Sequence, residues 1–200
     1  MSISFTYELD LSDDYFRTYW KKYGVRTAGL GGLAIGGPVG SLSIAVDGRR
    51  ILSVESGCSP LWFALDLAYA IRSFLRTPVS TRSRRMVLSL WDSGEAITIR
   101  QVSLDRMEFG VGQTSFGEAG YVETPMTAVA LYRSANALLL RVLSDISVLD
   151  PAVLENPSFV RYRLLANSVV EGASDLDRIR RRTRSALGRL SANGAHRCRP

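Results

Sequence analysis

Gly29-Leu30-Gly31-Gly32-Leu33-Ala34 has the glycine spacing of a dinucleotide-binding turn, and Asp47 stands eighteen residues beyond Gly29, near where a ribose-binding acid would belong. That chemistry needs a strand before the glycines and a helix after them whose N-terminus faces the pyrophosphate. Gly36-Gly37-Pro38 forbids the helix and Val25–Ala28 makes a poor strand, so the segment reads as a loop and no cofactor is expected. Cys58 precedes Ser59-Pro60, a helix start whose field could lower a thiol pKa and make a nucleophile. A cysteine hydrolase also needs a histidine base, and the one histidine, His196, lies among arginines close to the C-terminus. A single histidine and no Cys-x-x-Cys leave no ordinary zinc site. Cys58 therefore reads as a small buried thiol.

Asp66 interrupts a nearly continuous apolar run, and a buried carboxylate there could be a perturbed general acid or base. Nothing in the sequence places a second acid such as Glu55 beside it for paired-carboxylate work, so a structural role is expected. Asp92 and Glu95 flank a turn, with no lysine following to complete a nuclease-like set. There is no P-loop, no G-x-S-x-G elbow and no EF-hand loop. No catalytic, cofactor-binding or metal-binding residue is expected, and the chain is not expected to be an enzyme.

Composition narrows the classes further. Two hundred residues at 46% hydrophobic content suffice for one core. Cys58 and Cys198 alone provide no disulfide framework, which suits a reducing, cytoplasmic setting. The start MSISFTYELD lacks the pattern of a signal peptide. Thr27 to Val46 carries no charge and has the length of a membrane span, but its six glycines and Pro38 predict a loop leading into a strand.

The elements that would position these residues are legible in the periodicities. Ile3, Phe5, Tyr7 and Leu9 alternate with polar residues, the period of a half-buried strand. Ser12 is expected to cap a short helix ending at Gly24, with Phe16, Tyr19, Trp20 and Tyr23 forming an aromatic stripe docked on the core. Ser41–Val46 and Arg49–Val54 flank Asp47-Gly48, the dipeptide of a tight type I′ hairpin. Ser59-Pro60 opens a helix to Leu75 that is apolar on more than one side. A second hairpin is expected at Met86–Trp91 and Ala96–Val102, then a strand at Met107–Val111. Thr124-Pro125 repeats the cap-plus-proline signal and predicts a helix to Leu149, with Val129, Tyr132, Ala135, Leu139, Val142, Leu143 and Ile146 inside.

After Asp150-Pro151 the chain reads as helical: a turn at 151–156, a helix near Ser158–Val170, and a last helix capped by Ser174. This divides it into an α+β globular domain at 1–150 and a helical extension at 151–200. The extension holds the net charge. Arg178, Arg180, Arg181, Arg182, Arg184, Arg189, Arg197 and Arg199 have no acid among them, so of the overall +6 they contribute eight and leave about −2 for residues 1–177. Arg178, Arg180, Arg181, Arg182, Arg184 and Arg189 are the candidate contacts to a polyanion such as RNA or DNA.

The hairpin GSLSIAVDGRRILSV, the helix PLWFALDLAYAIRSFL, the hairpin RRMVLSLWDSGEAITIRQV and the helix TPMTAVALYRSANALLLRVL follow one another in an order that resembles small actinobacterial α+β proteins of the polymorphic-toxin immunity type. The resemblance covers about half the chain, rests on element order and apolar pattern, and implies a non-enzymatic, partner-binding role. The expected fold is α+β: an antiparallel sheet built from hairpins, two main helices on one face and a helical C-terminal extension. The expected function is binding of another protein, the alternative a nucleic-acid-associated module acting through the arginine-rich tail. A third reading, an enzyme, would require Asp66 to meet other acids.

Overall fold

The computed structural model describes residues 2–12, 14–29, 32–33, 36–76, 84–90, 94–102, 106–113 and 124–168. The arginines from 178 onward, Ser174, His196 and Asp92 lie outside them. The fold is α+β, with its strands in two antiparallel sheets, one of three strands and one of four.

In the first sheet, β1 (Ile3–Leu9) pairs with β2 (Gly40–Val46), setting Ile3 opposite Val46 and Leu9 opposite Gly40. β2 pairs in turn with β3 (Arg49–Cys58). Asp47 and Gly48 have φ of 47° and 78°, the two positive values that a type I′ turn requires. Thr27–Val46 thus ends in a strand, as its glycines imply. β3 runs on past Val54 to Cys58 because the ladder absorbs register shifts between Gly40 and Leu42 and between Ile44 and Ala45. Gly40 has to be glycine, since a Cβ there would fall 1.9 Å from the Glu8 carbonyl oxygen.

Between β1 and β2 lies α1 (Tyr15–Tyr23). Ser12 does not cap it. The Ser12 amide and hydroxyl both donate to Asp10 Oδ1, at 2.9 and 2.6 Å, and Asp14 occupies the cap position without a side-chain bond. A local turn has taken the hydroxyl that the helix would use. Gly24, at φ 75°, ends α1 as expected, its amide donating to Trp20 O at 2.9 Å.

α2 (Pro60–Arg76) follows β3 and starts at the serine-proline pair, with the Trp62 amide 3.4 Å from Ser59 Oγ. Leu61, Phe63, Ala64, Leu65, Leu67, Ala70 and Ile71 are all buried, so the helix is enclosed on more than one side. The second sheet runs in chain order: β4 (Arg84–Ser89), β5 (Glu95–Gln101), β6 (Arg106–Gln113) and β7 (Thr124–Thr127). Here the proline signal misleads. Thr124 and Pro125 belong to β7, opposite Phe109 and Glu108, and α3 (Ala128–Leu149) starts only at Ala128. β7 is an edge strand, where a proline without an N–H is tolerated.

α3 packs along α2 and buries Leu131, Ala135, Leu138, Leu139, Val142, Leu143 and Ile146. It also holds β1 at two points. Ser134 Oγ donates to the Ile3 carbonyl at 2.6 Å, and Tyr7 Oη donates to Asp145 Oδ2 at 2.5 Å. Burial, and then the neighbouring carboxylate, push the Tyr7 phenol well above its ordinary value. Arg141 lies 5.7 Å above the Tyr7 ring.

Asp150 caps a 3₁₀ turn (Pro151–Glu155), accepting from the Ala152 amide at 3.0 Å, and α4 (Pro157–Ser168) follows. Val153, Phe159 and Tyr162 join the same hydrophobic core as both sheets, so residues 151–168 pack on the body. Phe5 sits at the centre, its ring 5.9 Å from Phe63 and 6.2 Å from Phe109, tying β1 to α2 and to β6.

Candidate functional site

The candidate chemistries that the sequence raised and set aside do not assemble among the described residues. Residues 24–27 form a turn rather than a strand, and Gly36 packs so closely on the Tyr19 ring that a Cβ would lie 2.0 Å from it. Where a loop was expected, Gly32 and Leu33 are helical, the Leu33 amide donating to Gly29 O and the Gly36 amide to Gly32 O, both at 3.0 Å, and this turn is seated against α1. Asp47 is engaged at the hairpin turn, accepting from the Ser2 amide at 2.6 Å and the Ser2 hydroxyl at 3.2 Å, which holds its pKa below the usual carboxylate range. Cys58 is 1% exposed, and burial pushes its thiol up to about 12, the opposite of an activated nucleophile. Asp66 is half-buried on α2. Burial raises its pKa, and a hydrogen bond from Trp62 one turn earlier counters part of that shift. Glu95 lies in β5 rather than in the turn, and burial raises its pKa too. Among the described residues, no three His, Cys, Asp or Glu side chains stand together as a metal site.

What does assemble is centred on α1, whose five aromatic and three charged positions sort by helical period. Phe16 and Trp20, one turn apart, are both 4% exposed and pack edge to face at 5.5 Å. Their neighbours turn the other way. Tyr15, Tyr19 and Tyr23 recur every four residues, with ring centroids 5.9 and 4.5 Å apart, and Tyr15 and Tyr23 are more than half exposed. Of the aromatic stripe expected to dock on the core, Phe16 and Trp20 are buried, Tyr19 is partly buried against it and Tyr23 is exposed, with Tyr15 continuing the exposed side. The period allows this in part, because Tyr15 lies about 100° around the axis from Phe16, whereas Tyr23, three residues after Trp20, lies about 60° from it and is exposed at the end of the helix.

The inner side of α1 borders a cavity of about 550 Å³. Phe16 and Trp20 supply its aromatic wall; Val25, Leu149 and Ala152 its aliphatic one. The Trp20 indole N–H, buried within that wall, meets no acceptor among the described residues. The rim is cationic. Among the described residues, Arg17, Lys21 and Arg26 line it against the single acid Asp150.

Asn156 fixes the far side. Fully buried, it donates to the carbonyls of Val25 and Ala28 at 2.7 and 2.8 Å, and accepts from the amides of Ser158 and Phe159 at 2.9 and 3.2 Å. One side chain thereby caps α4 and pins the turn after α1. Arg26 reaches Glu155 at 3.0 Å across the same junction, and Arg17 reaches Asp14 at 3.4 Å, both as exposed pairs. Lys21 and Lys22 close the last turn of α1, Lys22 Nζ resting 5.1 Å from the Tyr23 centroid. They are the only lysines among 25 basic residues.

None of the cavity residues was singled out as a site by motif or spacing. The available signal was the pair of adjacent lysines inside a run of aromatics, in a chain that otherwise uses arginine. No helix of the described residues is long and apolar enough to cross a membrane. No protein-family model, curated protein or solved structure matches the chain.

Proposed function

We propose that the chain is a non-enzymatic protein-binding protein, an accessory or immunity-type module, and that its partner presents an acidic surface to α1. The observation that carries this reading is the ladder of Tyr15, Tyr19 and Tyr23, its outer rings Tyr15 and Tyr23 more than half exposed, flanked by Arg17, Lys21 and Lys22. Tyrosine and arginine are enriched at interfaces, and tyrosine buries a large area at low entropic cost. Charge fixes the partner's sign. Arg17 and Arg26 are partly answered by Asp14 and Glu155, whereas Lys21 and Lys22 have no ion pair among the described residues. The test is a nuclease-treated pull-down from the host lysate with the natural chain and with Lys21→Glu/Lys22→Glu. Near-stoichiometric recovery of one acidic protein by the natural chain, lost with the charge-reversed variant, supports the reading; equal recovery by both, or by neither, overturns it.

A second reading rests on the sequence of residues 178–199. Arg178, Arg180, Arg181, Arg182, Arg184 and Arg189 would neutralise phosphates of RNA or DNA without sequence preference, with affinity falling steeply as salt rises. Truncation after Asp177 removes that binding if the reading is right, and unchanged binding refutes it.

A further inference from the structure

We infer that the cavity beside α1 is a binding site for a small organic anion with an apolar body of about fused-ring size, sharing Arg17 and Lys21 with the face proposed to meet a protein but not its tyrosines. Its volume of about 550 Å³ lies in the range of ligand sites rather than packing defects. Its walls are apolar and its rim is cationic. Phe16 and Trp20 offer ring faces, Val25, Leu149 and Ala152 offer methyl surface, and Arg17, Lys21 and Arg26 surround the opening. Such a lining suits a molecule with hydrocarbon at one end and a carboxylate or similar group at the other.

The surroundings are made to hold their shape without an occupant. Asn156 locks the turn that carries Val25, Asp150 is committed to capping the 3₁₀ turn, and Gly24 closes α1 through its bond to Trp20 O. Asp150 is the one carboxylate in the lining among the described residues, and its cap bond occupies Oδ1. Lys21 therefore faces the opening without an ion pair among the described residues.

Isothermal titration of the full-length protein with 2-naphthylacetate, 2-(2-naphthyl)ethanol and inorganic phosphate separates the contributions. The carboxylate should bind at least about fivefold tighter than the alcohol, as a partly exposed charge pair allows, and phosphate alone should give no measurable binding. Arg17→Gln/Lys21→Gln should weaken the carboxylate about tenfold and leave the alcohol unchanged. Both positions are exposed, so this variant is expected to fold; its circular dichroism verifies that. Tyr15→Ser/Tyr23→Ser should leave naphthylacetate affinity within about twofold, which separates this site from the tyrosines of the protein-binding face. No binding of naphthylacetate, equal affinity for acid and alcohol, phosphate binding as tight as the carboxylate, or an unchanged affinity in the Arg17/Lys21 variant would each overturn the assignment.

Discussion

α1 and α2 are both rich in aromatic residues, yet they spend them in opposite ways. α2 puts Phe63 into the core among Leu61, Leu65, Leu67 and Ile71, and its partly exposed Tyr69 meets the Tyr162 hydroxyl of α4 at 2.5 Å. α1 gives only Phe16 and Trp20 to the core and leaves Tyr15 and Tyr23 more than half exposed beside the chain's only lysines. The lesson is that aromatic content alone does not distinguish a packing helix from a binding helix. The distinction lies in which rings share a face with charge, because a ring beside an exposed cation gains area and a partner only when something else arrives.

That contrast predicts that changes on α2 cost folding and changes on α1 cost binding. The largest difference should be chemical. In a Cys198→Ser background, iodoacetamide at pH 8.5 should alkylate Cys58 about three orders of magnitude more slowly in the native protein than after unfolding, since burial keeps the thiol protonated. Rapid native labelling of Cys58 would break the contrast at once. Next in size, Leu67→Ala, at a site with no exposure, should cost about 3 kcal/mol in urea unfolding and leave partner affinity unchanged in the folded fraction.

Asn156→Ala should cost about 2 kcal/mol, because it uncaps α4 and strips the Val25 and Ala28 carbonyls of their donor. Asn156→Asp should recover the cap but not the clamp, and stability equal to the natural chain's would show that the clamp contributes nothing. Tyr7→Phe should cost about 1 kcal/mol through the lost bond to Asp145. The smallest stability effect belongs to Tyr15→Ser/Tyr23→Ser, within about 0.5 kcal/mol at exposed sites, and yet this variant should lose at least about tenfold in partner affinity.

Much of the fold was legible because local rules and tertiary packing agree. The alternation in Ile3–Leu9, the Asp47-Gly48 turn and the Ser59-Pro60 helix start each carry a local signal that the neighbours reinforce. The sequence misled where one signal serves two structures. Thr-Pro at 124 suits a helix start and an edge strand equally, and pairing with β6 decided it. Ser12 suits a cap or an Asp10 turn. The division of seven strands into two sheets depends on pairings between elements, which periodicity does not encode.

The candidate site was less legible than the fold. Asn156, which shapes the cavity, bonds to carbonyls 131 and 128 residues away, a relation without local trace. The tyrosines at 15, 19 and 23 are spaced visibly, but their separation from Phe16 and Trp20 depends on which side of α1 faces Val25 and Leu149.

The α1 face is tested most directly by acetylating Lys21 and Lys22 in the free protein and in its isolated complex, and reading both sites by mass spectrometry. Binding through α1 predicts that Lys21 and Lys22 are both protected at least about fivefold in the complex while the amino terminus reacts as before. Unchanged acetylation of both lysines in a stoichiometric complex would place the partner elsewhere and contradict the account.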